Sequence, residues 1–318
     1  MIYELLGRFV VRFLSSDSKL SYYIAAFTAA MFWSTIGVLG QFLFDHGLDP
    51  ITVVTFRAFF AFILLALYFL ITDPGSLRIS PDDVPFFALY GLVGISIFFS
   101  LLLYTIEKTN VATAFVLLYT APAFLTIISR IWFGEPLTRV KVCALFLTFA
   151  GCALVVQAYD LSQLHLNMVG IGAGLLCGIT YALYSVFGKI AVQKVSRTVT
   201  LFYSFLFGSF FLLLLRPPWL LFSLNLPPVG WVYILLIATV PTLFAYSLYI
   251  YALDGIEASK AGIIATVEPV AAALLAYVFL DEMLHIPQVL GFILVFVGVT
   301  LLPFSEMKKR RSRLPGNQ

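Results

Sequence analysis

Residues 265–282 read ATVEPVAAALLAYVFLDE, an apolar run with Glu268 and Pro269 inside it and Asp281 and Glu282 at its end. Its core, AAALLAYVFL at 271–280, is continuously apolar, as is AFILLALYFL at 61–70. A transmembrane β-barrel alternates lipid-facing and lumen-facing residues, so runs of this kind read as helices that satisfy their own backbone in lipid. The chain around them has the same character: of 318 residues 61% are hydrophobic and 11% charged, with a mean hydropathy of +1.01. A soluble domain carries about 25% charged residues.

About 20 apolar residues are needed to cross the hydrocarbon core as a helix. Such runs occur at 21–43, 51–72, 84–106, 111–133, 140–158, 168–189, 198–215, 230–252, 258–280 and 286–304. The sequence therefore predicts an all-α integral membrane protein with ten transmembrane helices. The connecting pieces, such as DHGLDP and TDPGSLRISPDD, are short and rich in Pro, Gly and Asp. They leave no room for a soluble domain. Cys143, Cys152 and Cys177 all fall inside predicted helices, which argues against a disulfide framework. In the segment 1–19, Glu4, Arg8 and Arg12 share a helical face beside Leu5, Phe9 and Phe13. That pattern suits a short cytoplasmic helix on the membrane surface, a disordered tail being the alternative.

Laying the chain on itself pairs Tyr104 with Tyr251, Pro122 with Pro269, Glu135 with Glu282 and Gly151 with Gly298, each 147 residues apart (269 − 122, for example). Trp33 then falls near Tyr181, and Arg57 near Tyr203. The chain reads as two five-helix repeats, residues 20–159 and 160–305, followed by a basic tail at 306–318. Five is odd, so the second repeat enters the membrane inverted. Charge agrees: Arg139 and Lys141 follow the fourth span, whereas Asp281 and Glu282 follow the ninth. Of 19 Lys and Arg, all but Lys108, Arg216 and the intramembrane Arg57 fall on the side of the N-terminus. This predicts that both termini are cytoplasmic. The KKRRSR tail reads as a topology anchor and anionic-lipid contact rather than a nucleic-acid site.

Glu268 falls ten residues into its span, about 15 Å along a helix and close to the bilayer middle. A carboxylate there reads as a ligand for a substrate amine or as a proton carrier, or as a neutral carboxyl that supports the break at Pro269. Arg57 reads as an anion contact, as a partner for Glu268, or as an anchor bonded to neighbouring carbonyls. Trp33, Tyr119 and Tyr181 lie deep in their spans with polar tips that need partners, suiting them to line a cavity or to pack. Pro122 and Pro269 are candidate helix breaks or hinges that release carbonyls toward a cavity. No His pair at zinc spacing, metal-binding Cys pair or phosphate-binding loop is present, so no metal or cofactor is expected.

These residues resemble the drug/metabolite transporter superfamily, specifically its ten-helix EamA-type permeases, over about residues 20–305. The resemblance is carried by AAMFWSTIGV at 29–38, TFRAFFAFILL at 55–65, YTAPAFLTIISRIWFGEPLT at 119–138, VEPVAAALLAYVFLDEMLH at 267–285, and the endings FAGCALV and FVGVTLL. It implies a cytoplasmic-membrane permease, of the kind found in bacterial inner membranes, often an exporter, with a central cavity lined by both halves. The function expected is secondary transport of small organic metabolites, amino acids or related compounds, by alternating access. Its partners are the metabolite, membrane lipids and, if Glu268 exchanges them, protons. Monomer and homodimer are both compatible. A lipid translocase or membrane-embedded lipid-modifying protein is the competing reading.

Overall fold

The computed structural model describes residues 19–160, 167–219, 226–280 and 282–311, the side chains of 306–311 excepted. The expected surface helix, apart from Lys19, and the side chains of the basic tail lie outside the described residues. The helical segments are α1 (Lys19–Asp45), α2 (Pro50–Thr72), α3 (Pro81–Lys108), α4 (Val111–Phe133), α5 (Arg139–Val155), α6 (Met168–Lys194), α7 (Arg197–Leu215), α8 (Pro228–Gly255), α9 (Ala258–Phe279) and α10 (Ile286–Arg311). Among the described residues, nine of them are long and apolar enough to cross a membrane. The exception to the expected ten is α5, which at 17 residues is shorter than its expected span of 140–158 because it ends at Val155 in a turn.

Local chemistry explains most boundaries. Asp49 caps α2, accepting from the Thr52 N–H at 3.0 Å, with Pro50 in the first turn. Asn110, Thr138, Asn167 and Ser196 cap α4, α5, α6 and α7 in the same way. Gly134, at φ +67°, closes α4 in the left-handed conformation that glycine adopts without strain.

Several helices are not continuous. A turn at Ser34 interrupts α1, and turns at Tyr119–Thr120 and Thr266–Val267 interrupt α4 and α9. The breaks precede Pro122 and Pro269, which sit in the first turn of the segments that follow, where a missing N–H leaves no carbonyl unpaired. Two π-helical stretches, Leu92–Ile97 in α3 and Thr239–Phe244 in α8, widen their helices. These features recur at one spacing. The π stretches begin 147 residues apart (239 − 92), the second segments of α4 and α9 likewise (268 − 121), and so do α2 and α7 (197 − 50) and α5 and α10 (286 − 139).

Packing depends on small residues. α5 lies along α10, where a Cβ on Gly151 would come within 2.7 Å of the Gly291 carbonyl and one on Gly298 within 3.0 Å of the Ala144 carbonyl. Gly170, Gly174 and Gly178 seat α6 against α4 and the end of α3, with Thr109, Leu117 and Thr120 filling the space. In lipid such close approach is a main source of helix association, because the hydrophobic effect does not favour helix over acyl chain.

At the end of the bundle where α5, α7 and α9 begin, ion pairs join different helices. Glu135, only 6% exposed, accepts from the N–H groups of Ala258 at 2.7 Å and Ser259 at 3.2 Å, and from the Ser259 hydroxyl. Lys141 lies 2.6 Å from Glu257 and 3.6 Å from Glu135, and Lys260 lies 2.7 Å from Glu257. Burial pushes the Glu257 carboxyl up, but the two ammonium groups outweigh it and hold it below the ordinary carboxylate value.

Two outcomes follow. Gly151→Ala lowers unfolding stability in detergent by about 1–3 kcal/mol, the usual cost of overpacking, while Gly172→Ala, with no atom within 4 Å of the added carbon, does not. Glu257 has a depressed folded pKa, so it contributes stability above its unfolded value and loses it as pH falls through the folded one. Thermal unfolding followed from neutral pH downward therefore shows an acid loss, beginning near pH 4.5, that Glu257→Gln reduces.

Candidate functional site

The breaks in α1, α4 and α9 and the π stretches of α3 and α8 bring a set of side chains together in the middle of the bundle. Non-helical backbone at membrane depth is tolerated where protein buries it or where it lines a cavity, and π stretches concentrate at functional sites. Ser34 follows Trp33, the α3 stretch precedes Phe98 and Phe99, and the α8 stretch carries Thr242 and precedes Tyr246 and Tyr249. Pro241, inside that stretch, has no N–H to give the regular ladder.

Arg57, on α2, is 3% exposed. Its Nε donates to the Thr242 hydroxyl at 3.1 Å, and the Thr242 hydroxyl donates to the Ile237 carbonyl at 2.7 Å. The guanidinium carbon stands 4.8 Å from the Phe99 ring centre, and Tyr246 lies within its electrostatic reach. Phe99 and Tyr246 are 147 residues apart, the spacing at which the helix starts and π stretches also recur, and both lie near this one cation.

Glu268 opens the second segment of α9 and keeps partial exposure, whereas Pro269, Val270 and Ala271 beside it are buried. It makes no hydrogen bond or ion pair with another described side chain. It lies within electrostatic reach of Arg57, Tyr119, Tyr181, Tyr246 and Cys152. Its counterpart at position 121 is alanine, so the carboxylate belongs to one half only.

Aromatic rings enclose this pair. Trp33 meets Tyr249 at 5.0 Å, Tyr246 at 5.2 Å and Tyr181 at 6.5 Å between ring centres. Tyr181 stacks on Phe98 at 5.2 Å, and Tyr184 stands edge-on to Tyr246 at the same distance. The indole Nε1 of Trp33 is buried and has no partner among the described residues. A buried donor without a partner costs free energy unless a ligand or water completes it.

All five residues that the sequence singles out for binding or coupling, Trp33, Arg57, Tyr119, Tyr181 and Glu268, thus converge on one region. Arg57 and Glu268 do not form the direct ion pair that was one reading of Arg57; the Thr242 hydroxyl and two aromatic rings hold the guanidinium instead. Thr242 and Phe99 escape sequence reasoning because neither is charged, although the 147-residue register already sets Phe99 opposite Tyr246 and Gly94 opposite Pro241. Lys189 lies outside the site, donating to the Leu253 and Ile256 carbonyls at 2.5 and 2.9 Å and closing the end of α8.

Comparison with known proteins agrees with this architecture. The EamA-like transporter family model matches residues 20–157 and 168–304. A protein of Archaeoglobus fulgidus named as an uncharacterized transporter is 30% identical over 84% of this chain and 91% of its own. An uncharacterized inner membrane transporter of Salmonella typhimurium is 24% identical over 89% of this chain and 95% of its own. One crystal structure shares the fold at a TM-score of 0.77 and 18% identity, covering 93% of this chain and 100% of that one.

Because Arg57 and Glu268 interact through space without touching, their stability effects are coupled. Unfolding of Arg57→Met, Glu268→Gln and the double variant in detergent gives an interaction energy of about 0.5 kcal/mol or more, whereas independent sites add within about 0.3–0.5 kcal/mol.

Proposed function

The chain belongs to the EamA-like transporter family and is a multi-pass protein of the cell membrane, and on that premise we propose that it exports small organic metabolites of the amino-acid type. Transport proceeds by alternating access of two inverted five-helix repeats, residues 20–159 and 160–305, with both termini cytoplasmic. The recurrence of helix starts, breaks and π stretches at 147 residues supports the repeat, and the distribution of Lys and Arg supports its orientation. The export direction rests on the family resemblance.

The observation that carries the substrate class is a partly exposed Glu268 without a partner, opposite a held Arg57, inside a shell of Trp and Tyr. A zwitterion fits these groups: its ammonium meets the carboxylate and the faces of the rings, and its carboxylate meets the guanidinium and the unpaired indole N–H. A doubly charged anion is disfavoured, because Glu268 repels it and Arg57 alone opposes that repulsion. Glu268 holds either an ammonium or a proton, which makes proton exchange the natural return step of the cycle.

The test compares the culture medium of cells expressing wild type or Glu268→Gln at equal membrane levels. One class of amine-bearing metabolite accumulates outside with the wild type and falls by about tenfold or more with the variant, as loss of a charge-assisted contact of 1.4 kcal/mol or more requires. Equal export by both assigns Glu268 a structural role. No change with either protein overturns export.

A further inference from the structure

The two repeats have one backbone plan but different chemistry at their ends. α9 does not cap its own N-terminus: Glu135, from the link between α4 and α5, supplies the anion, and Lys141 ties the same carboxylate to Glu257. At the repeat-related positions, 147 residues away, Glu135 becomes Glu282, Lys141 becomes Gln288 and Glu257 becomes Asn110. There α4 is capped by its own Asn110, which accepts from the Thr113 N–H at 2.8 Å. Gln288 is neutral and donates to the Val155 carbonyl at 2.9 Å, and Glu282 is exposed. A helix that caps itself moves as a unit, whereas a helix capped from another repeat cannot leave without breaking the cap.

We propose that Glu135 and Lys141 are positioning residues for transport, forming with Glu257 and Ser259 a latch that shuts one end of the path between the repeats and biases the protein toward the state closed there. The inference rests on the alternating-access reading above. In a transporter built from inverted repeats, the inward-open and outward-open states exchange the roles of the halves, so a perfectly symmetric chain populates both alike. A contact present at one end only breaks that balance by its own free energy. The latch joins the first repeat to the helix that carries Glu268, so its release is coupled to movement of the site. A cavity of about 410 Å³ at this end is lined by Glu135, Glu257, Lys260, Lys189, Phe133 and Tyr23 among others. None of Trp33, Arg57, Tyr181 or Glu268 lines it, so it stops at the latch as a vestibule.

Paired spin labels and pulsed electron resonance in proteoliposomes test this. A chain with its three cysteines replaced carries labels at Leu137 and Gln193 at the latch end, or at His46 and Met283 at the other, all exposed positions. Lys141→Gln removes the cation between two carboxylates and raises the population of long latch-end distances about tenfold, with shortening at the opposite end, since an unpaired buried charge is costly. Asn110→Glu with Gln288→Lys installs the contact at the opposite end and drives the same shift, and it keeps the test intact if Lys141→Gln does not fold. Unchanged distances in the folded variants overturn the latch. The distance readout needs no substrate: distances that move without any detectable export sink the export reading and leave the latch, while export with unmoved distances sinks the latch alone.

Discussion

Every backbone N–H and C=O within a bilayer must find a partner inside the protein, and the rest of this structure depends on that constraint. It forces helices, and it makes every departure from helical geometry costly unless neighbouring helices shelter it. Here the departures are gathered in the middle of the bundle: turns in α1, α4 and α9 and π stretches in α3 and α8. Side chains take up some of the loosened carbonyls. Thr242 bonds to Ile237, Thr120 to Leu117, Thr266 to Ile263, and the Cys152 thiol to Thr266. The same hydroxyl that satisfies Ile237 also receives Arg57, so repair of the backbone and placement of the cation are one act.

The irregularities come in pairs 147 residues apart, as the proposed two-repeat plan requires, and the members of each pair differ in chemistry. Pro241 and Gly94 occupy related places in the two π stretches; Pro241 lacks an N–H for the ladder, whereas a Cβ on Gly94 would come within 3.0 Å of the Tyr184 side chain. Tyr246 and Phe99 keep the ring and differ in the hydroxyl. Glu268 and Ala121 keep the start of a proline-led segment and differ in charge. Backbone shape is fixed by small residues and prolines, which both halves share. Side-chain charge is free to specialise, and it does so at the centre and at one end.

The helices, their approximate limits and the place of Glu268 in the middle of the ninth were legible in the sequence because length, apolarity and charge act locally. The register was legible because Pro122 and Pro269, and Gly151 and Gly298, are punctuation that a shifted alignment exposes. The π stretch at Leu92–Ile97 was not, since LVGISI has ordinary helical composition and nothing in it marks the close approach of α3 to α7, where a Cβ on Gly91 would lie 2.5 Å from the Gly208 backbone nitrogen. Nor was the role of Glu135: in the sequence it is one more acidic residue in a loop, and only the fold brings Ala258 and Ser259, more than 120 residues away, to its carboxylate.

Glu268 shows how the scales connect. A charged group at mid-membrane is costly, and burial in a fully bonded network is the usual way to offset that cost, as with Glu135, which receives backbone donors, a hydroxyl and an ammonium. Glu268 receives none of these from the described residues, although it lies in the middle of α9 rather than in a link between helices. The difference is the one that the roles proposed for the two residues require. A carboxylate that fixes a helix is best satisfied completely, because any unmet valence weakens the joint. A carboxylate that takes up and releases a cation must be left incomplete by the protein, its remaining stabilisation supplied by water, by a proton or by the ligand in turn. The guanidinium of Arg57, held by Thr242 and Phe99, acts on such a group through space without closing on it.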